Sequence, residues 1–517
     1  MKYVLMGLLI ALTACTSTPE TSKPNIVYIL ADDLGYGDLS CLNENSKIKT
    51  PYLDKMAAQG MIFTDAHSGS SVCTPTRYGI VTGRYSWRSR LKKSVIGGAS
   101  PHLINPDRYT VADLLKDQGY HTAMIGKWHL GWDFTFKGQS PGGSLGFNPK
   151  TNEIDYSKPV KNGPDANGFD YYYGHCGSLD MAPYVYVENG KVTAAPNRIT
   201  ENKDYKGFWR KGPTGSDFDH IDVLPNFFKR ACNYIDERAK TGQPFFLYLP
   251  IPAPHTPILP IDKFKGKSGT NEYGDFVQQC DWHVHQVMET LKKNGISDNT
   301  ILIFTSDNGC SPRADFKELT AINHKPSHIY RGHKADIYEG GHRVPFIVHW
   351  PAKVKAGSIS HETICLTDLM ATAAAITGAK VPDNSAEDSV SILPALVGED
   401  KKLREATVHH SINGSFAIRQ GDWKLILCPG SGGWSAPRPK EAYQKKLPVI
   451  QLYNLKSDPA ESNNVYKANP TIVKSLYSLL QKYVDDGRST PGEKQSNEGE
   501  TPINPNNFDS IAKEIGL

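Results

Sequence analysis

The chain has 517 residues, with 58 Lys and Arg against 54 Asp and Glu and a formal net charge of +4. That length exceeds one compact core of ordinary size and predicts a large domain with a smaller one appended. Hydrophobic residues at 39% and charged residues at 22% exclude a disordered, collagen-like or polytopic membrane chain. The charge is not gathered into a basic run, so no nucleic-acid partner is expected.

At the N-terminus, Lys2, an apolar run over residues 3–11 and LTAC ending at Cys15 read as a secretory signal with a lipobox, residues 1–15. The run is too short for a membrane span, which needs about 20 apolar residues. Residues 16–24, rich in Ser, Thr and Pro, read as a tether. The pattern resembles that of bacterial lipoproteins. It implies an exported protein held to the membrane by lipid at Cys15, in the outer membrane or facing the periplasm of a Gram-negative-type bacterium. Beyond Cys15 and Cys73, seven of the nine cysteines remain and form no CxxC pair, which argues against a zinc knuckle. Export permits one or two disulfides, but spacing assigns no partners.

Short β-rich runs then alternate with helical stretches, the mark of an α/β fold with a largely parallel sheet. IVYIL (26–30) leads into Asp32 and Asp33, and HTAMIG (121–126) leads into Lys127 and His129. FFLYLPI (245–251) leads into His255, and ILIFT (301–305) leads into Asp307 and Asn308. Each run is apolar almost throughout, as a strand buried on both faces must be. Polar side chains just past strand ends are where open α/β sheets build sites. TVADLLKDQG (110–119) predicts a helix closed by Gly119. Asp32, Asp33, Asp307 and Asn308 supply hard oxygen ligands, a set that selects calcium or magnesium over zinc or copper. Lys127 and His129 are two apart, so on an extended segment both would project to one side.

CTPTRYGIVTG (73–83) is the most specific stretch. Cys73, Pro75, Arg77, Thr82 and Gly83 together would arise by chance on the order of once in ten thousand chains of this length. Pro75 suits a first helical turn and Gly83 a helix end, which places Cys73 at the positive end of a helix dipole, where anions are favoured. The stretch resembles the signature of the type I sulfatases of the alkaline-phosphatase superfamily. That resemblance implies a formylglycine made from Cys73 by a formylglycine-generating maturation enzyme, one divalent cation, most often calcium, on Asp32, Asp33, Asp307 and Asn308, and a sulfate ester as substrate. It implies catalytic roles for Cys73, Arg77, Lys127, His129, His255 and Lys334, the last in GHKADIYEGGHRVP (332–345). Glu339, Gly340, Gly341 and Arg343 read as structural. In GFDYYYGHCGSLD (168–180), Ser178 falls where the family carries a sulfate-binding Ser, although His175 and Cys176 depart from the usual apolar-Pro pair. Asp180 reads as a rim residue facing a sugar hydroxyl, and the tyrosines at 171, 172, 173, 184 and 186 as packing.

The resemblance covers residues 25–465 and divides the chain into a catalytic domain (25–400) and a C-terminal α+β subdomain with its tail (401–517). HHSINGSFAIRQGDWKLIL (409–427) alternates as antiparallel strands do, and TIVKSLYSLLQKYVDD (471–486) repeats apolar residues at helical spacing. The last thirty residues read as poorly ordered unless they dock. Stretches such as SLDMAPYVYVENG (178–190) resemble bacterial galactose or N-acetylgalactosamine sulfatases, so a sulfated carbohydrate is the expected substrate. Two alternatives stay open: a phosphomonoesterase or phosphodiesterase of the same superfamily, and a non-catalytic lipoprotein that binds sulfated glycans.

Overall fold

The computed structural model of the protein describes residues 23–138, 145–146, 150–506, 508–509 and 513. The expected signal with Cys15, and all of the tether except Lys23 and Pro24, lie outside the described residues. The four apolar runs form strands: β1 (Asn25–Ala31), β2 (His121–Lys127), β3 (Phe245–Pro250) and β4 (Thr300–Ser306). They lie side by side in the order β4-β1-β3-β2, all parallel. Ala31 is in register with Ser306 and Leu30 with Pro250. The segments that follow the four strands therefore leave the sheet along one edge.

Tyr171–His175 adds a fifth parallel strand beside β2, and Phe346–His349 pairs antiparallel with β4. Among the described residues, ten strands make one mixed sheet. Alternate β1 residues face opposite ways. Ile26, Tyr28 and Leu30 enter a core with the helices Cys73–Thr82, Val111–Asp117 and Leu369–Thr377. Val27, Ile29 and Ala31 enter a second core with Val223–Ala239 and Glu272–Lys293. All seven β1 residues are buried, and each large apolar side chain so covered contributes about 1.5–3 kcal/mol. Helices on both faces thus explain why these strands are apolar without alternation.

Helix α1 is Cys73–Thr82, closed by Gly83 at φ 65°, whose N–H donates to the Gly79 carbonyl. Pro75 sits in its first turn, where a missing N–H leaves no bond unmade. The helix Val111–Asp117 starts on a Thr110–Asp113 capping box, with Gly119 at φ 84° just beyond its end.

The C-terminal subdomain is an antiparallel sheet of β5 (Thr407–His410), β6 (Phe416–Gln420), β7 (Trp423–Ile426) and β8 (Gln451–Asn454) in sequence order. The helix Pro470–Asp485 covers it with Val473, Leu476, Leu480 and Tyr483. The tail beyond this helix docks: Glu498 N–H donates to the Arg88 carbonyl at 2.7 Å, Arg88 to Asn497 at 3.1 Å and Lys92 to Thr501 at 3.1 Å. The eight described cysteines are all unpaired, six of them buried, so they behave as small apolar residues and not as staples. Tyr172, Tyr173, Tyr184 and Tyr186 are core residues. Among the described residues no helix is long and apolar enough to cross a membrane.

Candidate active site

The strand ends deliver their polar residues to one place. Asp32 and Asp33 follow β1, Asp307 and Asn308 follow β4, Lys127 ends β2 and His255 lies past β3. Helix α1 adds Cys73 as its first residue and Arg77 one turn later. A Cys73 sulfur, an Asp32 oxygen and a His255 nitrogen lie within 4.8 Å of one another, as do carboxylate oxygens of Asp32, Asp33 and Asp307. Asp33 adopts φ 66°, a conformation uncommon outside glycine that a surrounding structure must hold in place. There its N–H donates to Asp307 Oδ1 at 3.2 Å, and Asn308 Nδ2 donates to Asp33 Oδ1 at 2.8 Å.

Three cations answer the three carboxylates. Lys127 Nζ sits on Asp32, Lys334 Nζ on Asp33 Oδ1 at 2.7 Å, and Arg77 Nη2 on Asp307 Oδ2 at 2.7 Å. Burial pushes the Asp32 carboxyl up, but Lys127, His255, Arg77 and Lys334 together hold it well below the usual carboxylate range. Burial and the charge of Asp32 push Asp307 up to about 7. The other arm of Arg77 donates to the Lys127 carbonyl at 3.0 Å, and the residue has no solvent exposure. Arg77 therefore ties the carboxylates to the end of β2. Burial pushes the Cys73 thiol up to about 11, so the sulfur itself is a poor nucleophile at neutral pH.

These residues fit a divalent cation. Asp32 Oδ1 and Asn308 Oδ1 are buried without a hydrogen-bond partner, which is costly unless something completes them. Three carboxylates and an amide oxygen form a donor set suited to Ca²⁺ or Mg²⁺.

Lys127 and His129 do not share one side of an extended segment. The chain leaves β2 at Lys127 and turns through His129 at φ 52°, whose N–H donates to the Cys176 carbonyl. His129 Nε2 donates to the Ile96 carbonyl at 2.9 Å, which leaves Nδ1 as a buried lone pair without a partner. Burial, with Lys127 and Arg77 nearby, holds the imidazole well below its ordinary range, hence neutral. Ser178 joins the site despite its unusual neighbours, with its Oγ 3.4 Å from Lys127 Nζ and 3.4 Å from both His255 ring nitrogens. Its neighbour His175 stacks on Phe227 at 5.7 Å, so the departure from an apolar pair is absorbed by packing.

A cavity of about 440 Å³ opens onto His255 and Lys334 and is lined by Asp180 at its side. Asp180 pairs with Arg210, so it meets a cation besides any sugar hydroxyl. The rest of the wall includes residues that no motif marked, among them Arg313 after β4, and Trp434 and Arg438 in the Gly-, Ser- and Pro-rich segment 429–439. An arginine or tryptophan in such a segment is the only signal the sequence offered. Glu339 and Arg343 are structural, as expected. Arg343 bridges Asp65 at 2.6 Å and Glu339 at 2.9 Å. Glu339 also meets Lys424 of β7 at 3.0 Å. A Cβ on Gly341 would stand 2.2 Å from the Asp336 carbonyl oxygen.

The Sulfatase family model matches residues 24–379, over half of the chain. The chain belongs to the sulfatase family. A second model, the C-terminal region of N-sulphoglucosamine sulphohydrolase, matches residues 332–486. An N-acetylgalactosamine-6-O-sulfatase of Bacteroides thetaiotaomicron is 37% identical, covering 89% of this sulfatase and 93% of its own length. Human arylsulfatase A is 30% identical, covering 96% of this chain and 94% of its own. Among solved structures, one described with the metabolism of multiple glycosaminoglycans by B. thetaiotaomicron aligns at TM-score 0.77 and 34% identity, covering 89% of this chain and 99% of that one. Ps i-CgsB in complex with k-i-k-neocarrahexaose aligns at TM-score 0.68 and 25% identity, covering 96% and 98%.

Proposed function

We propose that this sulfatase removes the 6-O-sulfate from N-acetylgalactosamine units of a sulfated glycan, by cleavage of the S–O bond. The observation that carries the reading is the placement of Cys73 at the first turn of α1, within 4.8 Å of Asp32 and His255 and beside Lys127 and Lys334, whose charges reach its thiol. The named relative from B. thetaiotaomicron supports the sugar and the position. Family membership supports sulfate ester hydrolysis over a phosphoesterase or a non-catalytic glycan binder.

Converted to formylglycine by a maturation enzyme, position 73 supplies a hydrated aldehyde as oxygen nucleophile. A divalent cation, Ca²⁺ in our reading, held by Asp32, Asp33, Asp307 and Asn308, supplies Lewis-acid polarisation of a sulfate oxygen when bound. Lys127 and Lys334 neutralise the sulfuryl oxygens as charge develops, the term that dominates such transfers. Ser178 donates a hydrogen bond to the sulfate, and Asp180 orients the sugar. His255 gives a proton to the departing sugar oxygen, and a leaving-group acid is worth about 10²–10⁴ in rate. Transfer leaves the sulfuryl group on the attacking oxygen of residue 73, and that hydroxyl's proton makes good the one His255 gave to the sugar. His129, with Nδ1 unprotonated, then takes the proton of the second hydroxyl, so that the C–O bond breaks, sulfate leaves and the aldehyde re-forms. We further propose that Cys15 carries the lipid of an outer-membrane or periplasm-facing lipoprotein, and that the catalytic domain ends near residue 400.

Sulfate release from the 4-sulfate and the 6-sulfate of N-acetylgalactosamine, by protein produced with a formylglycine-generating enzyme, tests the reading. The 6-sulfate should turn over and Cys73→Ala should be inactive. Wild-type turnover by Cys73→Ala, or an active protein whose residue 73 retains its sulfur, would overturn it.

A further inference from the structure

Beyond the sulfate cradle, the cavity wall carries two arginines that no carboxylate pairs at ion-pair distance among the described residues. Arg313 donates Nη1 to the Tyr205 carbonyl at 2.9 Å, and its guanidinium lies 4.9 Å from the Tyr205 ring and 5.0 Å from the Phe208 ring. Arg438 donates Nε to the Trp434 carbonyl at 2.8 Å. Neither has a carboxylate within ion-pair distance among the described residues. Glu441, one turn beyond Arg438, is engaged by Lys445 at 2.6 Å. Arg210, on the same wall, differs, because Asp180 answers it.

A carbonyl acceptor orients a guanidinium without neutralising it. Each arginine thus keeps a fixed direction and at least two unused N–H-bearing nitrogens, the arrangement suited to planar anions. The wall is also rigid. Trp434 and Ser435 N–H groups donate to Asp336 Oδ1 at 2.8 and 3.0 Å, which ties this loop of the C-terminal subdomain to the segment carrying Lys334. A Cβ on Gly433 would stand 2.3 Å from the Ala335 carbonyl oxygen, so the two segments approach as closely as backbone allows. Trp434 is 38% exposed and Tyr205 50% exposed, leaving aromatic faces on which sugar rings can lie.

We propose that Arg313 and Arg438 form a second anion subsite, so that the preferred substrate carries a further carboxylate or sulfate beyond the ester being cleaved. The proposal rests on the sulfatase reading of the inner site. It identifies an acidic oligosaccharide, not an isolated monosulfated sugar, as the occupant of the whole cavity.

Two arms test it. In the first, Cys73→Ala protein is titrated by calorimetry with an unsulfated chondroitin hexasaccharide, which offers carboxylates only, and with N-acetylgalactosamine 4,6-disulfate, which offers a second sulfate only. One or both should bind, and adding Arg313→Ala with Arg438→Ala should weaken that binding about 10-fold per arginine. In the second, kcat/KM is compared for a 6-sulfated uronate-containing disaccharide and for the 6-sulfated monosaccharide. The double variant should lose the disaccharide's advantage while the monosaccharide rate stays within about threefold, inside the spread of a surface substitution. Equal loss on both sugars, or binding indifferent to the two arginines, overturns the subsite. Wild-type protein that desulfates neither sugar overturns the 6-O-sulfate reading of the proposed function instead, and the calorimetric arm still reports on the arginines.

Discussion

Replacing Arg77 with Met tests the inner site most directly. The side chain is fully buried and gives one arm to Asp307 at 2.7 Å and the other to the Lys127 carbonyl at 3.0 Å, with Asp32 Oδ1 at 3.6 Å. Met fills similar volume but leaves Asp307 and Asp32 facing each other with one cation fewer. Breaking a buried ion pair from one side costs about 3–5 kcal/mol. With an unfolding entropy of about 2.1 cal/mol/K per residue, the 517-residue chain loses roughly 3–5 °C of melting temperature. The turnover penalty comes from position. Arg77 holds the end of β2 where Lys127 emerges, and a displacement of about 1 Å there costs about 10² in rate. Arg77→Lys keeps the charge but not the fork, so it should regain stability more than rate. Scanning calorimetry and kcat/KM on a sulfate ester check both. A Met variant with wild-type melting and wild-type kcat would refute the reasoning, as would a Lys variant that regains rate but not stability.

Asp281 is pushed up to about 7 by burial while it accepts the N–H groups of Leu53 at 2.7 Å and Tyr52 at 3.1 Å. A folded-state pKa above the unfolded one gives stability that is present below about pH 4 and lost as pH rises through about 7; Asp281→Asn should remove this loss, so the variant's melting temperature gains on wild type from pH 5 to pH 8, and parallel curves would count against it. Stripping divalent cations should lower the melting temperature, with Ca²⁺ at about 100 times its Kd restoring about 2.7 kcal/mol and Asp33→Asn abolishing the response; indifference to chelator in wild type would sink the oxygen-ligand site. Gly126 adopts φ 138°, and a Cβ there would stand 2.0 Å from the Pro250 carbonyl oxygen. Gly126→Ala should therefore separate β2 from β3, costing about 1–3 kcal/mol and displacing Lys127, with activity lost more steeply than folded protein in a thermal and kinetic comparison.

The inner site was legible because two rules of sheet geometry act together. An apolar run without alternation must be a strand buried on both faces, and parallel neighbours must end at one edge. Knowing that Asp32, Lys127, His255 and Asp307 each follow such a run is then nearly enough to bring them together. The register of β1 with β3 and β4 completes the placement. His129 shows where this stops, since its left-handed backbone is set by the hydrogen bond to Cys176 and not by any local preference. The outer wall was illegible for a related reason. Arg313 and Arg438 lie on loops 125 residues apart, and a loop arginine in a sequence looks the same whether water or a ligand surrounds it. Lys424 is the sharper case. It is fully buried in β7, an assignment no alternation pattern yields, because its partners Glu339 and Glu461 come from segments outside its own sheet.

The charges divide the labour between these layers. Asp32, Asp33 and Asp307 are matched one for one by Lys127, Lys334 and Arg77, so the inner cradle taken alone offers an anion little net attraction. A divalent cation held as proposed would add two positive charges at the orphaned oxygens of Asp32 and Asn308 and strengthen the cradle's attraction for sulfate. Arg77 holds that balance by pairing Asp307 and the Lys127 carbonyl, and its Nε–H stays buried without a partner. Arg313 and Arg438 lie outside the balance, and their charge is available with or without the metal. The two proposals together make affinity for an acidic glycan and competence to cleave its sulfate separable, the first set by the wall and the second by the cradle.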